Sequence, residues 1–149
     1  MPSGPYTGPM TVHILVPIDG SPMAKQALEH ALSMHPDAQF TILYVIDYIE
    51  ESYSARALVG ADKLRERAEE RAEELFEEAE DIAEEHSVEI ETRTAVGDPS
   101  REIVAYAEDH DINQIVMGSH GRSPMSRILL GSVAEDVTRR APVPVTVVR

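Results

Sequence analysis

The chain has no cysteine at any of its 149 positions. That absence removes disulfides, thiolate zinc sites and cysteine nucleophiles. Lysine is nearly missing as well, with only Lys25 and Lys63 beside the arginines. Aromatic residues make up 5%, so the 42% hydrophobic content must build an aliphatic core. No stretch approaches the roughly 20 apolar residues that cross a bilayer. The first ten residues lack the charged region and apolar run of a signal peptide. These absences predict a cytoplasmic protein without membrane insertion.

Positive charge is in short supply throughout. Against 27 acidic residues stand 13 lysines and arginines, a formal charge of −14. Such a field opposes polyanions, whose binding depends on cations neutralising phosphates, and excludes nucleic acid as the expected partner. The acid-rich, lysine-poor balance resembles that of proteins working in concentrated cytoplasmic salt and points to a halophilic archaeal source. At about 1 M salt the Debye length falls to near 3 Å, so local contacts decide how an anion binds.

The length suits one domain. Residues 1–9, with Pro2, Gly4, Pro5, Gly8 and Pro9, carry no apolar period and are expected to be a disordered tail before a domain over 10–149. Val12 to Ile18 is a β-branched apolar run ended by Asp19-Gly20 and predicts a first strand buried on both faces. His13 is read there as a strand-end histidine, since no second ligand stands at metal spacing. Ser21 as cap and Pro22 as first residue open a helix with Ala24, Ala27, Leu28, Ala31 and Leu32 on one face, ending near Met34. Gln39 to Ile46 predicts a second strand, and Asp47 to Gly60 a connector without a firm period.

Asp62 to Glu85 is strongly helical, with Leu64, Ala68, Ala72, Leu75, Phe76, Ala79, Ile82 and Ala83 in one stripe. Its glutamates, with four cations among them, are read as a solvated face in preference to a metal site. Val88 to Val96 alternates Val88, Ile90, Thr92, Thr94 and Val96 with charged residues and predicts an edge strand. Asp98 and Pro99 then start a helix whose buried side is Ile103, Val104 and Ala107 and which ends near His110. A strand over Ile112 to Met117, a helix over Ser132 to Arg140 and a strand over Val143 to Val148 complete the chain. Strands alternating with helices demand a parallel sheet with right-handed crossovers and helices on both faces. Ligands of such sheets lie at the carboxyl ends of the strands, where the order reverses.

Between the fourth strand and the last helix runs a loop with Gly118, Gly121 and Gly131. Glycines there let backbone amides approach a ligand, and Gly131-Ser132 meets the helix N-terminus, which favours phosphate. Gly20 and Gly97 are read instead as turn residues. The loop is not a Walker sequence, because no glycine-lysine-serine or glycine-lysine-threonine follows four residues after a glycine. A dinucleotide fingerprint is absent after the first strand. A response-regulator receiver needs paired acids after the first strand and a late lysine, but only Asp19 stands there and no lysine follows Lys63.

Glycine, two residues, glycine, nine residues, glycine-serine is the pattern of Gly118, Gly121, Gly131 and Ser132. With the opening segment from His13 to Ser21 and the closing segment from Pro142 to Arg149, it resembles the universal stress protein family from about Val12 to the end. The resemblance implies a three-layer, doubly wound five-stranded parallel sheet of order 3-2-1-4-5, of the adenine nucleotide alpha hydrolase-like type. It also implies ATP, or AMP or ADP, as ligand. Carried over by residue, Pro17, Ile18 and Asp19 would line the adenosine, Val45 would pair the adenine edge, and Met117 and Gly118 would border the ribose. Gly121, Arg122, Gly131, Ser132 and Val133 would hold the phosphates, with His120 beside them. Asp19 or the phosphates would help place a magnesium or manganese ion.

Alternatives stand at several positions. Ser132-Val133-Ala134-Glu135 also reads as a capping box, so Ser132 is either ligand, cap or both. Arg122 and Arg127 are phosphate clamps or solvated loop arginines. His120 has no carboxylate or serine placed by sequence to make it a base, and no catalytic residue is assigned. The functional expectation is a nucleotide-binding stress-response or signalling protein with a partner protein still to be named. A slow ATPase or phosphotransfer enzyme using His120 or Ser123, and a nucleotide-free interaction module, are the rivals. The last strand, as a sheet edge bearing Val143, Val145 and Val147, predicts a homodimer through Val143 to Val148 with Pro144 turned away from the pairing.

Overall fold

The structure is a computed structural model that describes residues 11–49, 60–120 and 130–149. The expected tail over 1–9, most of the connector, and Gly121, Arg122, Ser123 and Arg127 lie outside the described residues.

The first strand, β1, runs His13–Ile18 and leads into α1, Pro22–Met34. The Ser21 hydroxyl accepts the Ala24 amide at 3.1 Å, and Pro22 sits where its missing N–H costs nothing. The five buried residues of α1 are those its 3.6-residue period selects. Strand β2 spans Gln39–Ile46. Helix α2, Ala61–Glu85, buries Ala68, Ala72, Leu75, Ala79 and Ala83, while Leu64, Phe76 and Ile82 at the stripe's margin are half-buried. Small residues along the centre of this stripe let the long helix lie close on the sheet.

Strand β3 is Glu91–Val96, α3 is Pro99–Asp109, β4 is Gln114–Gly118, α4 is Ser132–Arg140 and β5 is Val145–Val148. Four strands differ from expectation. The first starts at His13 and leaves Val12 exposed. The third starts at Glu91 because Val88 and Ile90 pack against the core under α2 without a ladder partner. Its alternation also fails, since Thr94 and Val96 are exposed and Ala95 turns inward. The fourth begins at Gln114 and includes Gly118, although Ile112 is buried ahead of it. The fifth begins at Val145, after Pro144, whose carbonyl accepts the Ile115 amide at 3.0 Å. In α3, Val104 is half-buried, and buried Ser100 takes its place beside Ile103 and Ala107.

All strand pairs are parallel, in the order β3-β2-β1-β4-β5. Alternate residues feed two cores, one on each face. Ile14, Val16, Phe40, Ile42 and Val116 pack under α1 and α2. Leu15, Leu43, Ile115 and Met117 pack with the residues of α3 and α4. The strand order reverses between the neighbours β1 and β4, whose following helices lie on opposite faces, and the carboxyl ends of those two strands form the switch point.

Candidate functional site

Pro17 opens the crevice at this switch point. Odd-numbered residues of β1 face β4, as the Asn113 amide donating to His13 O at 2.8 Å shows. The pairing with β4 stops at Leu15 with Ile115, and Pro17, next in that row, has no N–H to extend it. Even-numbered residues face β2, so that ladder continues to Ile18 with Tyr44. One proline thus parts β1 from β4 while leaving β1 on β2.

Val45 stands at the other rim. Gln39 N donates to Val12 O at 2.8 Å, so odd residues of β2 face β1. Val45 lies one residue beyond the end of the β1 ladder, with its backbone turned toward the crevice. The side chains of Val45 and Met117 share the face covered by α3 and α4. Ile18 and Gly118 do not. Ile18 packs under α2, and a Cβ on Gly118 would stand 2.8 Å from Met23 Cβ and 2.9 Å from its carbonyl carbon. The Ile18 side chain therefore serves the core, and Gly118 is required by the approach of α1.

Asp19 makes a local turn, its Oδ1 accepting the Ser21 amide at 2.9 Å. Gly20 follows with φ +85°, a conformation that favours glycine, and the Arg71 guanidinium of α2 occupies the space a side chain would take. Gly97 likewise has φ +148°. Both act as turn residues, as expected.

The N-terminus of α4 forms the third side. The Ser119 amide donates to Val148 O and the Gly131 amide to Ser119 O, each at 2.8 Å, which ties the end of β4 to the start of the helix. Gly131 is the N-cap, with φ −66° and ψ 162°, and no side chain of the described residues caps this helix. The capping-box expectation for Ser132 is therefore overturned. Ser132 is the first helical residue, one position too late for its hydroxyl to fold back on the amides, and Glu135 pairs with Arg139 at 3.2 Å instead. Ser132 is exposed and Val133 half-buried, both in the first turn, where helix amides lack intrahelical partners.

Ser119, which the sequence pattern did not single out, follows the last residue of β4. It is buried, and its hydroxyl lies 3.0 Å from His120 Nδ1. Neighbours on an extended strand point to opposite faces, so their pairing depends on the chain leaving β4 after Gly118. His120 Nε2 is buried with no hydrogen-bond partner among the described residues.

Other titratable groups lie elsewhere. His13 is at the amino end of β1, bonded to Thr41 Oγ1 at 2.8 Å, and burial lowers its pKa. The groove lined by Glu77, Glu80, Asp81 and Glu84 of α2 and by Glu89 beyond its end carries charge of the wrong sign for a phosphate. No group of three or more acidic or histidine residues among the described residues is placed to hold a metal ion. No helix among them is long and apolar enough to cross a membrane.

The model of the universal stress protein family matches residues 10–149. Universal stress protein MJ0531 of Methanocaldococcus jannaschii is 36% identical over 138 residues, covering 91% of this chain and 81% of that one. The solved structure of MJ0577 from the same organism superposes with a TM-score of 0.80 at 33% identity, over 93% of this chain and 96% of that one. A universal stress protein solved in complex with cAMP gives 0.69 at 25% identity, over 93% and 97%. The family model spans residues 10–149 and a relative 36% identical covers most of both chains, so the chain belongs to the universal stress protein family.

Proposed function

We propose that this chain is an adenine-nucleotide-binding stress-response or signalling protein whose occupancy changes what it offers a partner, without turnover as its purpose. The observation carrying this is the start of α4: a nine-residue helix that opens at the switch point with glycine as N-cap and, among the described residues, no side chain on its first amides. Helix amides left free in this way favour an anion, and the helix dipole adds to the attraction. The cAMP complex of a family relative supports adenine as the base.

The groups present fit such a ligand. Half-buried Val45 offers apolar contact at the rim, backed by buried Pro17 and Met117, and its turned backbone suits the polar edge of a purine. Ser132 presents a hydroxyl in the first turn of α4. Asp19 uses one carboxylate oxygen for its own turn, which leaves the other for a magnesium or manganese ion brought in with the phosphates. The nucleotide is ATP in this proposal, with ADP and AMP as weaker occupants. By the family resemblance Gly121 and Arg122, outside the described residues, would complete the phosphate side.

Assembly is part of the proposal. Pro144 and Val148 accept from Ile115 and Ser119, so the even residues of this segment face β4. The amides of Val145 and Val147 point out of the sheet, where the same strand of a second copy would pair with them. The unit is one domain over 10–149, working in a salt-rich cytoplasm.

Titration calorimetry with ATP and magnesium tests the reading, together with mass spectrometry of small molecules released from the purified protein. Micromolar binding or a co-purified adenine nucleotide is expected. No heat and no bound nucleotide would overturn it. Steady phosphate release abolished by His120→Ala would instead favour the enzyme alternative.

A further inference from the structure

The turn between β3 and α3 is tied to both walls of the crevice. On one side the Gly97 amide donates at 3.0 Å to the carbonyl of Ile46, the residue after Val45 at the rim. On the other side stands Ser100, a buried polar residue in the first turn of α3. Its hydroxyl lies 2.9 Å from Asp98 Oδ2, the carboxylate that caps α3, and 3.4 Å from Asp136 Oδ2 of α4. Asp98 Oδ2 also accepts the Arg101 amide at 3.2 Å. Both carboxylates thus gather at the N-terminus of α3, where the helix field favours an anion and the one hydroxyl proton stands between them. The contact with Asp136 is the looser one, and a small movement of α4 would tighten it. Asp136 lies one turn along α4 from Ser132, so its place depends on how the start of that helix is held.

We infer that Ser100 relays occupancy of the crevice from α4 to α3: a nucleotide that fixes the first turn of α4 holds Asp136 within hydrogen-bonding reach of the Ser100 hydroxyl and so steadies the first turn of α3. The inference rests on the nucleotide-binding reading above and names the path by which occupancy reaches the surface. That surface is the turn between β3 and α3, flanked by Val96, which is 57% exposed, and by exposed Arg101. Ser100 is a positioning residue: it reads α4 through Asp136 and acts on α3 through the Asp98 cap.

The test is amide hydrogen exchange by NMR, with and without ATP and magnesium at concentrations that calorimetry shows to be saturating, in the wild type, Ser100→Ala, Asp136→Ala and the double variant. In the wild type ATP should slow the Val133 and Ala134 amides of α4. It should also slow those of Arg101 and Glu102 in α3 by about twofold to tenfold, the range for one ordinary hydrogen bond. Either single variant should keep the effect on α4 and lose it on α3, and the double variant should lose no more than either one. A role of Ser100 in stability alone would speed exchange in α3 equally with and without ATP. Retention of the ATP effect on α3 in either single variant, or its absence from α3 of the wild type, would overturn the inference, while protection of α4 leaves the nucleotide reading standing. Loss of ATP binding in the single variants would place these residues in the ligand site itself and overturn the inference as well. No heat with the wild type and no protection of α4 overturn both.

Discussion

Gly118 at the end of β4 lies against Met23 in the first turn of α1, so close that an added Cβ would be 2.8 Å from Met23 Cβ, 2.9 Å from its carbonyl carbon and 3.0 Å from its carbonyl oxygen. Two of those three atoms belong to the backbone and cannot swing away. Gly118→Ala should therefore destabilise the protein by about 1–3 kcal/mol through overpacking, with nucleotide absent. Urea unfolding measures it. A change near zero without nucleotide, with the whole effect seen in ligand affinity, would refute the packing role.

The caps give opposite expectations for two serines. Ser21 receives the Ala24 amide and caps α1, so Ser21→Ala should cost about 1 kcal/mol. Ser132 is exposed and caps nothing, so Ser132→Ala should change stability by less than about 0.5 kcal/mol while weakening a phosphate-bearing ligand. Equal losses of stability in the two variants would restore the capping box.

His13 predicts a pH dependence. Burial holds its pKa below the ordinary 6.5; Glu91 pulls it up, His110 adds to the lowering, and Asp111 pulls it up. The native ring resists a proton that the unfolded chain accepts. Its stabilising contribution is therefore present above pH 6.5 and is lost as pH falls through the folded value. From about pH 7.5 to about pH 5.5, before most carboxylates titrate, the urea midpoint of the wild type should fall more than that of His13→Gln. Parallel curves would contradict this.

Salt should stabilise the fold. The surface ion pairs, such as Lys25 with Glu78 at 3.1 Å, are exposed and contribute about 0–1 kcal/mol each. The net charge of −14 repels itself over longer range. Raising KCl from about 0.1 M to about 1 M shrinks the Debye length from about 10 Å to about 3 Å and weakens that repulsion. Tm by differential scanning calorimetry should rise by a few degrees. A fall would mean that the ion pairs outweigh the repulsion.

The free edge of β5 yields a test of assembly. Val147→Pro removes an amide that points away from β4, so the sheet inside the protomer keeps its hydrogen bonds. Light scattering should find the wild type dimeric and the variant monomeric at micromolar concentration. A wild-type monomer would refute the interface.

The order of elements, the class of the sheet, the caps Ser21 and Asp98 and the buried face of α1 were legible in the sequence. Each depends on residues near one another in the chain, where periodicity and turn chemistry act directly. The glycine-serine spacing likewise marked the loop that meets α4. What depended on partners distant in sequence was not legible. Val88 and Ile90 have strand character but no neighbour to pair with, so β3 begins later. The cap of α4 moved by one residue to Gly131, because the Ser119 carbonyl, brought up by β4, holds the Gly131 amide.

Tertiary structure alone decided what the site residues do. Gly118 is glycine because α1 crosses it, and Pro17 parts two strands because β4 lies on the side its missing N–H would serve. Ile18 turns into the core while Val45 turns its backbone outward, a matter of ladder parity that no local pattern fixes. Ser119 and His120 meet only where the chain leaves the sheet. Local chemistry set the elements and the family; contacts across the sheet, which carry no signature along the chain, set which atoms remain free for a ligand.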